Sequence, residues 1–359
     1  MQFKLEKRLE KSKTLQILLP IIASILALVF CAIFLFLTDK NPIDVYNAMF
    51  VGALSTQYGI SEIIVKLIPL TICALGIAVA FRMQLWNIGA EGQFYMGALG
   101  AGFVALNFTE LPAIIMLPAM VLASMFTGAV WGGIAGFLRN KWQVNEIIST
   151  LMLNYIAILS LNYLVYGAWK DPKGMNFPVS APFVDAAILP TFGTTRVHYG
   201  IFFVVVFTVL LYFLFKNSRW GYKTKVIGLN PVAANYAGID IPKNIFAIMC
   251  ISGALSGLAG MLEVSGIVGK MQSGISPGYG YTAIIIAWLA GLHPITIVGV
   301  AFLFSVIQVG GFMVQTMGIN SSIATMIQGA ILFFVIGADI FNNYKLVRIS
   351  SNKGGQKDG

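Results

Sequence analysis

The sequence is poor in charge and in the residues from which metal and redox sites are usually built. Only 10% of its 359 residues are charged, whereas 58% are hydrophobic; ordinary soluble chains carry about 25% charged residues. Its two histidines, His198 and His293, lie far apart, and its three cysteines, Cys31, Cys73 and Cys250, all lie inside apolar runs. We therefore expect no metal site, no cofactor and no disulfide framework.

Signatures of catalysis and of nucleic-acid binding are also missing. The only Gly-Lys pair, Gly269-Lys270, lacks the upstream glycine and the following Ser or Thr of a phosphate-binding loop. The net charge of +9 comes from scattered residues without any basic, aromatic-interleaved reading motif. The chain is thus predicted to be neither an enzyme nor a nucleic-acid binder.

Long apolar blocks are what the sequence has in abundance. Because a membrane crossing needs about 20 apolar residues, charges and turn residues divide the chain into ten candidate spans. These lie at residues 16–37, 63–81, 90–107, 113–138, 147–167, 199–215, 245–265, 280–292, 295–315 and 322–341. The prediction is an all-α polytopic membrane protein, a bundle of about ten transmembrane helices that could form two related halves. His293-Pro294 splits the short eighth span from the ninth, so these two could form a re-entrant or broken pair.

Basic residues predict the topology of the bundle and its segments. With both termini in the cytoplasm, 17 of the 23 lysines and arginines fall on the cytoplasmic side, as the positive-inside rule requires. The expected organisation is a cytoplasmic segment 1–15, a transmembrane domain 16–341 and a cytoplasmic tail 342–359. A proline-rich external loop, 168–198, and a cytoplasmic loop, 216–244, interrupt the membrane domain.

A carboxylate flanked by glycines marks the junction between the second and third spans. Glu91 lies between Gly89 and Gly92, where the backbone could unwind and line a cavity. An ionisable residue near the bilayer is a functional candidate by default. A carboxylate in the first turn of span three would equally stabilise the helix start, and both interpretations stay open.

The fifth span carries a second polar feature. Glu146, Thr150 and Asn154 are four residues apart and share one helix face, beside Asn145 and Ser149. Such a face must avoid lipid, so we expect it to point into the bundle. Whether it lines a path or only hydrogen-bonds neighbouring helices stays open.

Small residues at helical spacing predict close helix packing. Gly128, Gly132 and Gly136 recur every four residues, and Gly253 and Gly257 repeat the spacing. Such spacing lets two backbones approach closely in lipid. We predict a structural role for these glycines.

The cytoplasmic loop contains a docking pattern. Ala233, Ala234 and Gly238 have the Ala-Ala-x-x-x-Gly spacing, which resembles the coupling loop of ABC importer permeases, with Val232 where many have glutamate. A short helix and a turn would present small residues to a partner's groove. An ordinary inter-helix loop is the alternative.

Three motifs together resemble the nucleoside-type ABC permeases, a group that includes ribose and branched-chain amino-acid permeases. They are Asn87-Ile-Gly-Ala-Glu-Gly-Gln93, Val144-Asn-Glu-Ile-Ile-Ser-Thr-Leu-Met-Leu-Asn-Tyr155 and Gly228-Leu-Asn-Pro231. The resemblance implies a bacterial inner-membrane subunit that forms half of a translocation pathway for nucleosides, surrounded by membrane lipid. It also implies a second permease subunit, a cytoplasmic ABC ATPase subunit and an external substrate-binding lipoprotein as partners.

The candidate site residues follow from these patterns. For the substrate pathway they are Trp86, Asn87, Glu91, Gln93, Asn145, Glu146 and Asn154; for ATPase coupling they are Gly228, Asn230, Ala233, Ala234 and Gly238. A ribose-type sugar permease is the main alternative. An ion-coupled secondary transporter that uses Glu91, Glu146, Glu263 or Asp339 is a further alternative, and a non-transport scaffold would need no buried polar stripes.

Overall fold

The computed structural model describes residues 2–7 and 13–349. Residues 8–12 of the predicted N-terminal segment and 350–359 of the predicted tail lie outside the described residues. Within the described ranges, ten helices coincide with the ten predicted spans. They are α1 (Lys13–Leu37), α2 (Gln57–Phe81), α3 (Ala90–Asn107), α4 (Ala113–Trp142), α5 (Glu146–Tyr166), α6 (Gly200–Asn217), α7 (Ile241–Glu263), α8 (Tyr279–Leu289), α9 (Pro294–Met313) and α10 (Ser322–Asn343).

Shorter elements join these helices. Helical turns at Pro42–Tyr46, Asn47–Gly52 and Ala53–Ser55 link α1 to α2, and Asp185–Ala187 lies in the loop 168–198. The loop 216–244 forms two helices, Arg219–Leu229 and Pro231–Tyr236. A π-helical turn, Val264–Val268, extends α7, and a 3₁₀ turn, Val314–Met317, follows α9.

The predicted all-α bundle is confirmed, with one addition that the sequence pattern did not indicate. Strand β1 (Gln2–Lys7) pairs antiparallel with strand β2 (Tyr344–Ile349), in a register that sets Gln2 opposite Ile349. This ribbon lies outside the helical bundle in sequence. It brings the two terminal segments to the same end of the molecule.

Hydropathy and burial sort the helices into a centre and a rim. Six helices of the described part are long and apolar enough to cross a membrane: α2, α4, α5, α6, α7 with its π-helical turn, and α9. In the most apolar window of α2, 89% of residues are buried, against 28% for α5 and 22% for α6. Helix α3 is mostly buried as well. The centre therefore holds α2, α3 and α7, and a helix that is apolar all round suits such a position.

Polar caps and prolines set where several helices begin. The side chain of Thr56 accepts the Gly59 N–H at the start of α2, and Asp240 accepts the Lys243 N–H at the start of α7. Pro294 occupies the first turn of α9, where its missing N–H costs nothing. The predicted split at His293-Pro294 is confirmed.

The predicted glycine packing is confirmed at the crossing of α4 and α7. A methyl group on Gly128 would lie 2.3 Å from the carbonyl oxygen of Gly253, and one on Gly253 would lie 2.2 Å from that of Gly128. Gly132 makes the same kind of approach to Met249, at 2.4 Å. Only glycine allows the two backbones to come this close.

Candidate functional site

Two interrupted helices meet in the middle of the bundle. The chain leaves α2 at Phe81 and starts α3 at Ala90, and it leaves α7 at Glu263 and starts α8 at Tyr279. The first break, between α2 and α3, packs against the middle of α7, where Asn87 Nδ2 donates to Ser252 Oγ at 2.8 Å. The first turns of α3 and α8 are in direct contact: a methyl group on Gly280 would lie 2.2 Å from the backbone nitrogen of Glu91.

Glu91 joins these two helix starts. Its Oε2 accepts the backbone N–H of Gly280 at 2.7 Å, and the Ser276 hydroxyl also hydrogen-bonds its carboxylate. Only 2% of the residue is exposed. Each helix N-terminus carries about half a positive charge, so the buried carboxylate lies against two of them. Glu91 is thus in the first turn of α3, as one interpretation predicted, and also holds α8 in place.

Hydrogen bonds fix the unwound stretch that leads to α3. Asn87 Oδ1 accepts the Gly89 N–H at 3.0 Å, and Asn87 Nδ2 donates to Gln93 Oε1 at 3.1 Å. From α5, Asn154 Oδ1 accepts the Gly92 N–H at 2.8 Å and Nδ2 donates to the Ile88 carbonyl at 2.9 Å. The structure therefore brings Asn87, Gln93 and Asn154 together around Glu91, with their amides satisfied inside the chain.

Two predicted pathway residues lie apart from this cluster. Asn145 is exposed and caps α5 by accepting the Ile147 N–H at 2.9 Å. Glu146 forms an ion pair with Arg139 at the end of α4. They precede Asn154 by about two helical turns, or roughly 12 Å along α5. The burial of Glu146, Thr150 and Asn154 confirms that this face of α5 points into the bundle.

An aromatic surface runs along α8 beside the Glu91 cluster. Trp86 is 36% exposed and stacks on Trp288, with ring centroids 5.2 Å apart. Tyr281 is 38% exposed, and its hydroxyl accepts a hydrogen bond from Asn154 Nδ2 at 3.2 Å. Trp86 was among the predicted pathway residues, whereas Tyr281 and Trp288 were not. Their spacing of seven, which places both on one face of a helix, was the available signal.

Helix α8 lies between α5 and α10. Tyr281 contacts Asn154 of α5, and the Thr282 hydroxyl donates to Gln328 Oε1 of α10 at 3.0 Å. The exposed face of α8 is therefore bordered by two long helices. A molecule on this face would meet the rings of Tyr281 and Trp288 and the Tyr281 hydroxyl.

The loop 216–244 has the predicted short helix and turn. Asn230 Oδ1 accepts the Ala233 N–H at 3.1 Å and so caps Pro231–Tyr236, while Gly238 has a φ of +71°. Ala234 is buried, whereas Ala233 and Gly238 are exposed. The large apolar side chains exposed around them are those of Leu229, Val232 and Tyr236.

The loop 216–244 contacts the break between α2 and α3. A methyl group on Gly228 would lie 2.1 Å from the carbonyl oxygen of Arg82. Arg82 in turn ends α2, and its Nη2 donates to the Leu292 carbonyl at 3.1 Å. The helix Arg219–Leu229 thus rests on the residue from which the chain turns towards Glu91.

Comparison with known proteins identifies the class to which this fold and site belong. The family described as "Branched-chain amino acid transport system / permease component" matches residues 59–336. The chain belongs to this family and is a multi-pass membrane permease of the ABC transporter type.

The relatives of this chain are named for different substrates. A glucose ABC transporter permease of Haloferax volcanii is 34% identical, covering 91% of this chain and 89% of its own. A nucleoside ABC transporter permease of Lactococcus lactis is 31% identical, covering 90% and 92%. A guanosine ABC transporter permease of Bacillus subtilis is also 31% identical, covering 89% and 92%. The predicted resemblance to nucleoside-type permeases is confirmed.

Proposed function

We propose that this chain forms half of a nucleoside translocation pathway and that a second permease subunit supplies the other half. The observation that carries the proposal is the meeting of two broken helices at Glu91, beside the aromatic face of α8. Unwound backbone within a membrane bundle persists where it lines a cavity or is buried in protein. Broken helices with facing N-termini are a known way to build substrate sites near the midplane.

The substrate assignment rests on chemistry as well as on relatives. Trp86, Trp288 and Tyr281 offer ring faces on which a planar base could stack, and the hydroxyl of the partly exposed Tyr281 offers a polar group on the same face of α8. Two relatives named for nucleosides support this choice. A sugar is the second candidate, favoured by the relative named for glucose.

Energy would come from a separate ATPase subunit docked on the cytoplasmic loop. The proposed docking surface consists of the helix Pro231–Tyr236 with Ala233, Ala234 and Gly238. Its small residues permit close approach, and the exposed Leu229, Val232 and Tyr236 provide apolar area to bury. The contact between Gly228 and Arg82 would carry a movement of this loop to the first break.

The remaining assignments follow from the ABC importer class. We place the chain in the bacterial inner membrane with both termini in the cytoplasm, and we assign the loop 168–198 to an external substrate-binding lipoprotein. An ion-coupled secondary transporter is disfavoured because Glu91, Glu146 and Glu263 all have hydrogen-bond or ion-pair partners within the chain. The side chain of Asp339 lies outside the described residues.

Co-purification combined with an ATPase assay tests whether a separate subunit hydrolyses ATP. The tagged chain, expressed with its partner subunits, should retain an ATPase subunit and a second permease through purification. The complex should hydrolyse ATP faster when the loaded lipoprotein is added, while the isolated chain should hydrolyse none. Robust hydrolysis by the isolated chain would contradict the proposal.

A further inference from the structure

A buried charged cluster lies near the Glu91 site but does not include it. Lys66 of α2 donates from Nζ to the hydroxyl of Tyr279 at 2.5 Å and lies 3.4 Å from Glu263 Oε1. The Tyr279 hydroxyl donates to the same carboxylate oxygen at 3.2 Å. Glu263 is 3% exposed and Tyr279 is fully buried. We call these three residues the charged clamp.

The clamp joins the two ends of the second break, which lies between α7 and α8. Glu263 is the last residue of α7 and Tyr279 the first of α8, so their hydrogen bond joins the two ends of the connection 264–278. Lys66 attaches both ends to the central helix α2. Tyr279 directly precedes Gly280, whose N–H binds Glu91. The position of the clamp therefore determines where the first turn of α8 meets α3.

The connection is also bonded to the external loop. The backbone N–H of Ser180 donates to the Met271 carbonyl, and that of Phe183 donates to the Gly269 carbonyl, each at 2.8 Å. The Leu189 N–H donates to the Ser265 carbonyl at 3.0 Å. A displacement of the loop 168–198 would therefore displace the connection 264–278. The charged clamp holds the two ends of that connection in place.

Packing alone does not explain why charges are used here. A buried ion pair is generally no more stabilising than apolar residues of similar volume, because desolvation offsets its attraction. The second oxygen of Glu263, Oε2, is buried and has no hydrogen-bond partner among the described residues. Ionisable groups at this depth are costly and mark functional positions by default.

We infer that Lys66, Glu263 and Tyr279 are positioning residues for transport, which hold the start of α8 against Glu91 while the external loop moves. The inference rests on the proposed function. It assigns the three residues no contact with substrate. Their loss should therefore lower the number of substrate molecules moved per ATP hydrolysed, rather than ATP hydrolysis itself.

Removing both charges separates positioning from folding. The single variants Lys66→Met and Glu263→Gln should lower the yield of assembled complex, because each leaves one charge of the clamp without its counter-charge. The double variant Lys66→Met/Glu263→Gln should assemble close to wild-type yield. Its transport per ATP, measured in proteoliposomes with all partner subunits, should fall about tenfold, the factor that one lost charge-assisted hydrogen bond supplies. Wild-type transport per ATP in the assembled double variant would overturn the inference.

A milder variant keeps the test decisive if the double variant fails to assemble. Tyr279→Phe retains the buried ring and the ion pair and removes only the hydroxyl, so it should assemble. Its transport per ATP should fall several-fold, and an unchanged value would overturn the inference. The matched control is Tyr163→Phe, which removes the same hydroxyl from a tyrosine of α5 that is 78% exposed, and it should change transport per ATP by less than about twofold. Failure of the wild-type complex to take up nucleoside would instead contradict the proposed function.

Discussion

Replacing Gly280 by alanine tests the contact between the two helix starts. An added methyl group would lie 2.2 Å from the Glu91 nitrogen and 2.6 Å from its Cα. Both are backbone atoms, which cannot rotate away as a side chain can. Overpacking of this kind typically costs about 1–3 kcal/mol. If α8 retreats instead, the 2.7 Å bond between Gly280 and Glu91 weakens, which costs about 1.5–3 kcal/mol for a charged acceptor.

The assay is thermal unfolding of the detergent-solubilised complex, followed by nucleoside uptake at equal amounts of complex. Each kcal/mol corresponds to a shift of about 2–4 °C in a domain of 150–250 residues, so the Tm of Gly280→Ala should fall by several degrees. Gly299→Ala is the matched control, because that glycine lies in α9 with nothing within 4 Å of the added methyl group. Its Tm should stay or rise, since alanine favours a helix by about 1 kcal/mol over glycine. Equal Tm and equal uptake in the two variants would refute the described contact.

Three further changes probe the pathway, the docking surface and the external loop. Glu91→Gln removes the charge but keeps an acceptor for the Gly280 N–H, so the complex should assemble and keep its basal ATPase activity. Nucleoside uptake should fall about tenfold. Wild-type uptake per complex would leave Glu91 only a role at the helix start. Ala233→Trp should abolish retention of the ATPase subunit, whereas Thr194→Trp, at an exposed position of the loop 168–198, should not; retention in both variants would exclude Ala233 from docking. Burial lowers the pKa of His198 to about 4 from its ordinary 6.5, so the folded chain binds fewer protons than the unfolded one between these values. The free energy of unfolding should then drop by about 3 kcal/mol as pH falls from 6.5 to 4, and His198→Phe should remove this dependence in thermal unfolding scans; a wild-type pH dependence in the variant would refute this assignment.

Ala233 and Gly238 differ in how their backbones tolerate a larger side chain. Gly238 has a φ of +71°, a left-handed conformation that other residues adopt at a cost. Any substitution there would strain the turn, whatever the partner does. Ala233 is an exposed helical residue, so a bulky replacement acts mainly on docking.

Features that depend on local periodicity were predictable from the sequence. Apolar blocks located all ten helices, and His293-Pro294 located the split between α8 and α9. The glycines spaced by four, Gly128 and Gly132, identified a close helix crossing, because spacing along one helix determines which face they share. The short helix before Gly238 followed from a similar local pattern.

Features that depend on contacts between distant parts of the chain were not predictable. The ion pair between Lys66 and Glu263 joins residues far apart in the chain, and the sequence offered Glu263 only as a coupling site of an alternative transporter, because nothing in either neighbourhood reveals the other. The approach of Gly280 to Glu91 is likewise a tertiary contact between two helix starts. The pairing of β1 with β2 joins opposite ends of the chain, so the short alternation of Phe3 and Leu5 with polar residues in β1 could not reveal its partner.

Uptake by reconstituted proteoliposomes tests the central claim most directly. Vesicles that contain this chain, the second permease and the ATPase subunit would receive ATP inside and the lipoprotein with tritiated guanosine outside. The account predicts uptake that requires ATP, that unlabelled nucleosides inhibit, and that a large excess of glucose or ribose leaves unchanged. Uptake of labelled glucose or ribose that nucleosides do not inhibit, or nucleoside uptake driven by an ion gradient without ATP, would contradict it.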